Sequence, residues 1–110
     1  YDRALASGAE EVVIATDDER IARVARGFGA SVALTDSALP SGSDRIADAA
    51  RARGEPDDLV IVNLQGDEPR MPAAVIRQVA ELAQSPACDI ATVCEPLAAE
   101  QLFDPNVVKV

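Results

Sequence analysis

Short apolar runs alternate along this chain with segments whose apolar residues recur every three or four positions. Five runs are rich in Val, Ile and Ala, a pattern that predicts strands, and three of them are followed directly by an acidic residue. They lie at residues 11–16, 31–35, 59–62, 89–94 and 106–110. The alternation of these runs with helical segments predicts an α/β fold with a mostly parallel sheet and helices on both faces.

Three longer segments have helical spacing. The first follows the acids at residues 17–19, one of which we expect to cap it, and carries Ile21, Val24, Ala25 and Phe28 on one face. The second follows a polar loop at residues 36–45 and ends at Gly54. The third covers residues 72–84 and has Pro72 at its first turn. Residues 1–7 resemble the tail of a further helix ending at Gly8, and residues 97–103 a short helix or turn.

The run at residues 59–62 (Leu-Val-Ile-Val) does not alternate apolar with polar side chains. Such a run is typical of a parallel strand covered on both faces, so we expect it to be the central strand. Polar residues follow it directly, in the sequence Asn63-Leu64-Gln65-Gly66-Asp67-Glu68-Pro69. The carboxyl edge of a parallel α/β sheet is where ligands bind, and this segment would lie there.

The adjacent carboxylates Asp67 and Glu68 have two interpretations. With the neighbouring side-chain amides, they suit a hard cation such as Mg²⁺, which takes one or two carboxylates and leaves its other positions to water and phosphates. Alternatively, Gly-Asp-Glu-Pro is an ordinary solvated turn with an acid that caps the next helix.

The segment Ser41-Gly42-Ser43-Asp44-Arg45 also has two interpretations. As a cap, Ser41 or Ser43 would accept hydrogen bonds from the first N–H groups of a helix, and Asp44 would complement its dipole. As a ligand loop, Gly42 would admit a flat ring and Arg45 would offer its planar donor fork to a carbonyl oxygen. Local chemistry favours the cap.

Composition excludes several function classes. The 110 residues allow one domain, and the formal charge of −9 argues against nucleic-acid or anionic-membrane partners. No histidine is present, so neither a zinc site nor a Ser-His or Cys-His pair can be completed, and we expect Cys88 and Cys94 to be buried apolar residues. No apolar run reaches the roughly 18 residues of a membrane span and no signal-peptide pattern is present, so we expect a cytoplasmic protein.

Five motifs taken together resemble one family. They are VVIATDDERI (12–21), SGSDRIAD (41–48), VNLQGDEP (62–69), DIATVCEP (89–96) and FDPNVVKV (103–110). In this order and spacing they closely resemble the 3-deoxy-manno-octulosonate cytidylyltransferases, or CMP-Kdo synthetases. QGDEP and DPNVVKV are the most specific of them, and Ser43 stands where that family usually has Thr, which keeps the hydroxyl.

The resemblance implies a Rossmann-like nucleotidyltransferase (nucleotide-diphospho-sugar transferase) fold. It also implies an enzyme of lipopolysaccharide biosynthesis that joins CTP to the eight-carbon acid sugar Kdo, releasing pyrophosphate with Mg²⁺ as cofactor. By resemblance, Asp67 is the metal ligand and Gln65 lies beside sugar and nucleotide. Ser41, Gly42, Ser43 and Arg45 would lie against the cytidine, with Arg45 contacting the base edge.

The same resemblance implies that residues 1–110 are a partial domain, incomplete at both ends. Family members carry a basic triphosphate-binding loop before this region and further Kdo-binding, dimer-forming and metal-binding residues after it. We therefore expect the chain to be inactive alone and the full-length enzyme to be a homodimer. The alternatives are another CMP-sugar or polyol-phosphate cytidylyltransferase, or a non-catalytic α/β module whose acids only cap helices.

Overall fold

The computed structural model describes residues 1–110 and contains a β-α-β unit with three further helices. Strands β1 (Val13–Thr16) and β2 (Ser31–Leu34) are parallel, in register from Val13 opposite Ser31 to Thr16 opposite Leu34. The helices are α1 (Asp2–Ala6), α2 (Glu19–Gly27), α3 (Gly42–Arg53) and α4 (Ala73–Ala83), and a 3₁₀ turn covers Ala99–Gln101. The α/β class and the parallel pairing predicted from the sequence are confirmed. None of the helices is both long and apolar enough to cross a bilayer.

Helix α2 connects the two strands and begins at an acidic cap, as expected. The Asp18 carboxylate accepts a hydrogen bond from the backbone N–H of Arg20 at 2.7 Å. Ala22 and Ala25 are buried in the unit formed with the strands. The chain then turns at Gly29, whose φ of +86° lies in the left-handed region that glycine adopts without strain. Helix α2 therefore packs on the strands through two small side chains, Ala22 and Ala25.

Helix α3 begins after Ser41, one of the two predicted caps, and ends at Gly54 as predicted. Ser41 Oγ accepts from the backbone N–H of Asp44 at 3.1 Å, which satisfies one of the unpaired donors of the first turn. Gly54 ends the helix at φ +70°. Ala49 is buried, and α3 contacts β1. The capping role of Ser41 is thus confirmed, and it places Gly42 at the first helical position.

Helices α1 and α4 contact each other. Arg77 of α4 donates from Nε to the Ser7 carbonyl at 2.8 Å, next to the left-handed Gly8 at φ +88°. A cation at a helix C-terminus satisfies free carbonyls and complements the helix dipole. Ile76 is buried, while Pro72 precedes the first turn of α4, as its place in the sequence predicted.

Three predicted strands do not form. Residues 59–62, 89–94 and 106–110 are in no strand, and the sheet has only the two strands described above. Residues 60–62 make no backbone–backbone hydrogen bond, because no neighbouring segment pairs with them. Val60, Val62 and Leu64 are half-buried whereas Leu59 and Ile61 are exposed. The segment is therefore covered on one face only. Its expected role as a central strand covered on both faces is wrong for this structure.

Burial also differs from expectation on α2 and at the cysteines. Ile21, Val24 and Phe28, expected to face a core, are exposed, Val24 by 67%. The sheet is too narrow to cover them, since β1 pairs on one side only. The Phe28 ring instead lies 5.2 Å from that of Tyr1. Cys88 is half-buried and Cys94 exposed, so the expectation that both are buried is wrong; the strand that would have buried them is absent.

Candidate functional site

The carboxyl ends of β1 and β2 lie side by side and bring polar residues together. The Thr35 N–H donates to the Thr16 carbonyl at 3.0 Å, which extends the pairing one residue beyond β2. Asp17 and Asp18 follow β1, and Asp36 follows Thr35. Thr16 is buried and its hydroxyl accepts from the Asp18 N–H at 3.1 Å. This edge is therefore rigidly paired and acidic.

Asp18 is committed to the start of α2 rather than to a ligand. Its carboxylate lies 2.5 Å from Nη2 of Arg20, and side-chain hydrogen bonds from Arg20, with the Arg20 backbone N–H, lower the pKa of Asp18 to about 2. The charged carboxylate is thus the form that caps the helix. The sequence interpretation of this acid as a cap is confirmed.

Arg45 joins the start of α3 to both strand ends. Its Nη1 donates to the Thr35 hydroxyl at 2.5 Å and, weakly, to the Asp36 carbonyl at 3.4 Å. Its Nη2 lies 3.4 Å from Asp17 Oδ2, and its side chain is only 19% exposed. The donor fork that the sequence interpretation offered to a ligand thus already faces protein groups, while Nε makes no hydrogen bond within the chain.

The serine-glycine loop and the QGDEP segment meet at Gly42. A Cβ built on Gly42 would lie 2.6 Å from Nε2 and 2.9 Å from Oε1 of Gln65, so the Gln65 carboxamide occupies the space that any other residue would fill. Gln65 Nε2 donates to Asn63 Oδ1 at 2.6 Å, and Asn63 Nδ2 reaches Ser43 Oγ at 3.5 Å, the limit of a hydrogen bond. Two motifs whose contacting residues lie 20 and 23 positions apart thus form one polar cluster, Gly42, Ser43, Asn63 and Gln65.

Asp67 lies on an exposed turn next to this cluster in sequence. The turn is closed by a hydrogen bond from the Glu68 N–H to the Gln65 carbonyl at 3.2 Å. The Asp67 carboxylate is exposed and takes part in no ion pair. No three acids or cysteines gather anywhere to form a complete metal cage. A single free carboxylate nevertheless suits Mg²⁺, which keeps several waters and binds through one or two carboxylates plus phosphates.

Three residues that had no assigned site role connect the predicted site residues in the structure. Asn63 connects Gln65 to Ser43, while Asp17 and Thr35 hold Arg45. Asn63 and Asp17 had local signals, as polar residues directly after apolar runs, but Ser43 and Arg45, which they contact, lie 20 and 28 residues away along the chain. No periodicity indicates such pairs.

A surface groove lies elsewhere, along α2. It has a volume of about 480 Å³ and is lined mainly by apolar residues, among them Ile14, Ile21, Val24 and Phe28. None of the residues that the sequence singled out as a binding or metal site lines it.

Comparison with known proteins agrees with the motifs. The family model described as "Cytidylyltransferase" matches residues 1–110. A 3-deoxy-manno-octulosonate cytidylyltransferase from Thioalkalivibrio sulfidiphilus is 58% identical over 112 residues, covering 100% of this chain and 45% of that protein. Proteins of the same name from Hahella chejuensis and Nitrosococcus oceani are 51% and 48% identical, over 100% and 99% of this chain and 44% and 43% of theirs.

The chain thus spans less than half the length of these curated relatives. The similarity nevertheless runs from its first residues to its last and includes every motif on which the resemblance was based. This chain belongs to the cytidylyltransferase family.

Proposed function

We propose that these 110 residues are part of an enzyme that joins CTP to Kdo, giving CMP-Kdo and pyrophosphate for lipopolysaccharide synthesis. The supporting observation is the polar cluster at Gly42, where the loop expected to bind cytidine meets the QGDEP segment expected to bind sugar and metal. Relatives that share about half of its residues carry this activity in their names.

In this reaction the anomeric hydroxyl of Kdo attacks the α-phosphorus of CTP. The new sugar–phosphate bond forms as the bond between the α-phosphorus and the bridging oxygen breaks, and pyrophosphate leaves with that oxygen. Catalysis of such a transfer is mostly orientation and charge stabilisation. The chain contributes orientation: Gly42 lets the Gln65 carboxamide lie against its backbone, and Ser43 offers a hydroxyl within reach of Asn63.

We assign the cofactor role to Mg²⁺ held by Asp67. The donor chemistry fits, because that carboxylate is exposed, makes no ion pair and follows the Gln65 amide by two residues in the sequence. When bound, Mg²⁺ would neutralise charge on the phosphates.

The decisive experiment is pyrophosphate release by the full-length enzyme that carries this segment, with CTP, Kdo and Mg²⁺. Turnover with Kdo and not with sialic acid or a polyol phosphate is the expected result. Turnover with sialic acid or a polyol phosphate instead would keep the reaction type and overturn the substrate. No pyrophosphate with any nucleotide would overturn the proposal in favour of a non-catalytic module.

We further propose that the full-length enzyme is a homodimer, as the family resemblance implies, and that it is cytoplasmic, as the sequence pattern led us to expect. Light scattering coupled to size exclusion would give twice the chain mass if this holds. Cell fractionation would recover the activity in the soluble cytoplasmic fraction. A monomer with full activity would overturn the dimer.

A further inference from the structure

Two arginines hold α3 against β1, one near each end of the helix. At the carboxyl end of β1, Nη2 of Arg45 lies 3.4 Å from Asp17 Oδ2. At the amino end, Arg53 donates from Nη2 to Glu11 Oε2 at 2.5 Å and from Nε to Glu55 Oε1 at 2.8 Å. The two contacts resemble each other chemically but differ in place, since only the first lies beside the polar cluster at Gly42.

The Arg45 end is the more enclosed of the two. The Arg45 side chain is 19% exposed, against 32% for Arg53. Its guanidinium meets three groups from two separate loops: the Asp17 carboxylate, the Thr35 hydroxyl and the Asp36 carbonyl. Of these only Asp17 is charged, so it is the one partner that forms an ion pair with the guanidinium.

We propose that Asp17 is a positioning residue for the nucleotide loop. By holding Arg45, it fixes the first turn of α3, residues 41–45, at the depth where Gly42 meets the Gln65 carboxamide. Arg45 is then the connection between sheet and loop, and its base contact, if formed, is made through Nε or the remaining Nη2 proton. The inference rests on the proposed function, because it takes the loop to bind CTP.

The physical reason is preorganisation. Without the Asp17 charge, Arg45 keeps only two neutral acceptors, one of them at 3.4 Å, and the loop gains alternative positions. CTP binds only one of these loop positions, so its apparent affinity falls in proportion to the fraction of molecules that leave that position. Once CTP is bound, the reacting groups are unchanged, so the maximal rate is preserved.

The test is steady-state kinetics of the full-length enzyme with Asp17→Asn, which keeps the shape and removes the charge. We expect the KM for CTP to rise about tenfold, with kcat within about twofold. Glu11→Gln, the matched change at the other end of α3, should leave the KM for CTP unaltered, and Asp17→Glu should restore part of the affinity. An unchanged KM in Asp17→Asn, or an equal rise in Glu11→Gln, would overturn the proposal.

A double-mutant cycle separates positioning from general weakening. If Asp17 acts through Arg45, the Asp17→Asn/Arg45→Ala double variant binds CTP no more weakly than Arg45→Ala alone. Additive losses would show that Asp17 acts independently of Arg45, against the proposal.

A readout independent of catalysis distinguishes failure of this inference from failure of the proposed function. Rotation of the Arg45 guanidinium, followed by ¹⁵N NMR, should be slow in the wild type, fast in Asp17→Asn and slow in Glu11→Gln. An enzyme inert with CTP that still shows this pattern would refute the proposed function but retain the positioning of Arg45. Equal rotation rates in all three proteins would refute the positioning itself.

Discussion

The carboxamide of Gln65 lies against the backbone of Gly42, filling the space that a Cβ at that position would need. A Cβ on Gly42 would lie 2.6 Å from Gln65 Nε2, which is too close for a non-bonded contact. The group that blocks it is the flexible end of an exposed side chain. The SGSDR and QGDEP motifs therefore contact each other here because residue 42 has no side chain.

Gly42→Ala should separate activity from stability. The Gln65 carboxamide would swing away at little cost, and Ala in the first helical turn restricts the unfolded chain, so we expect stability to stay equal or rise by about 0.5 kcal/mol. We expect the kcat/KM of the full-length enzyme to fall about tenfold as Gln65 is displaced. Kinetics and thermal unfolding of the same preparation measure both.

The matched control is Gly27→Ala, at the end of α2, where nothing lies within 4 Å of the added Cβ. That change should stabilise the helix slightly and leave kinetics alone. If Gly42→Ala keeps full activity, the position of Gln65 against Gly42 has no role in the reaction.

Asp67→Asn should abolish turnover without unfolding the protein. The amide keeps the shape of the carboxylate but not its charge, so we expect activity at saturating Mg²⁺ to drop by about a hundredfold or more. Because Asp67 is exposed and makes no ion pair, its stability effect should stay within about 0.5 kcal/mol. Asp57→Asn, in another exposed turn, removes the same charge and should do neither. Near-normal turnover in the Asp67 variant would remove this residue from the metal role.

Acid should weaken the start of α2 through Asp18. Its pKa in the folded chain is lowered to about 2 by Arg20, whereas an unfolded Asp titrates near about 3.9. A lowered folded pKa means that the stabilisation is complete above about pH 4 and is lost as the pH falls toward 2. Between pH 5 and pH 2 the Tm should therefore fall more steeply for the wild type than for Asp18→Asn, whose amide oxygen still accepts the capping hydrogen bond. Parallel curves would contradict the assignment.

Arg77→Gln should loosen α1 in particular. The hydrogen bond from Arg77 to the Ser7 carbonyl at 2.8 Å is a direct connection between α4 and the end of α1. Loss of a cation at a helix C-terminus costs about 0.5 kcal/mol, so amide exchange in α1 should quicken roughly twofold. Arg70→Gln, which removes an arginine that makes no ion pair, is the control. Equal exchange rates in the two variants would show that Arg77 does not hold α1.

Local features of this fold could be predicted from the sequence. The caps at Asp18 and Ser41, the left-handed Gly54 and the parallel pairing of two short apolar runs all depend on residues close in the chain. The segment at residues 59–62 was misjudged because a strand is defined by its neighbour, and none lies beside it. The composition of this segment indicates that it is apolar, but not whether another segment pairs with it.

Within the site, the sequence identified the residues but not their connections. Arg45 was expected to face a ligand, but most of its polar contacts are to Asp17 and Thr35, which are 28 and 10 positions away. Sequence spacing cannot reveal such a pair, because it arises only when α3 is placed across the sheet. The contact of Gly42 with Gln65 is of the same kind.

The exposed apolar face of α2 has a consequence for how the chain behaves in solution. Its surface is 8377 Å², compared with about 5,800 Å² for an ordinary folded protein of this size. With 16 large apolar residues exposed, attraction between copies is opposed mainly by the shared charge of −9. Salt screens that repulsion, with a Debye length near 8 Å at 0.15 M. The isolated chain should accordingly stay dispersed in dilute buffer and cluster as sodium chloride is added, the reverse of a protein held together by ion pairs.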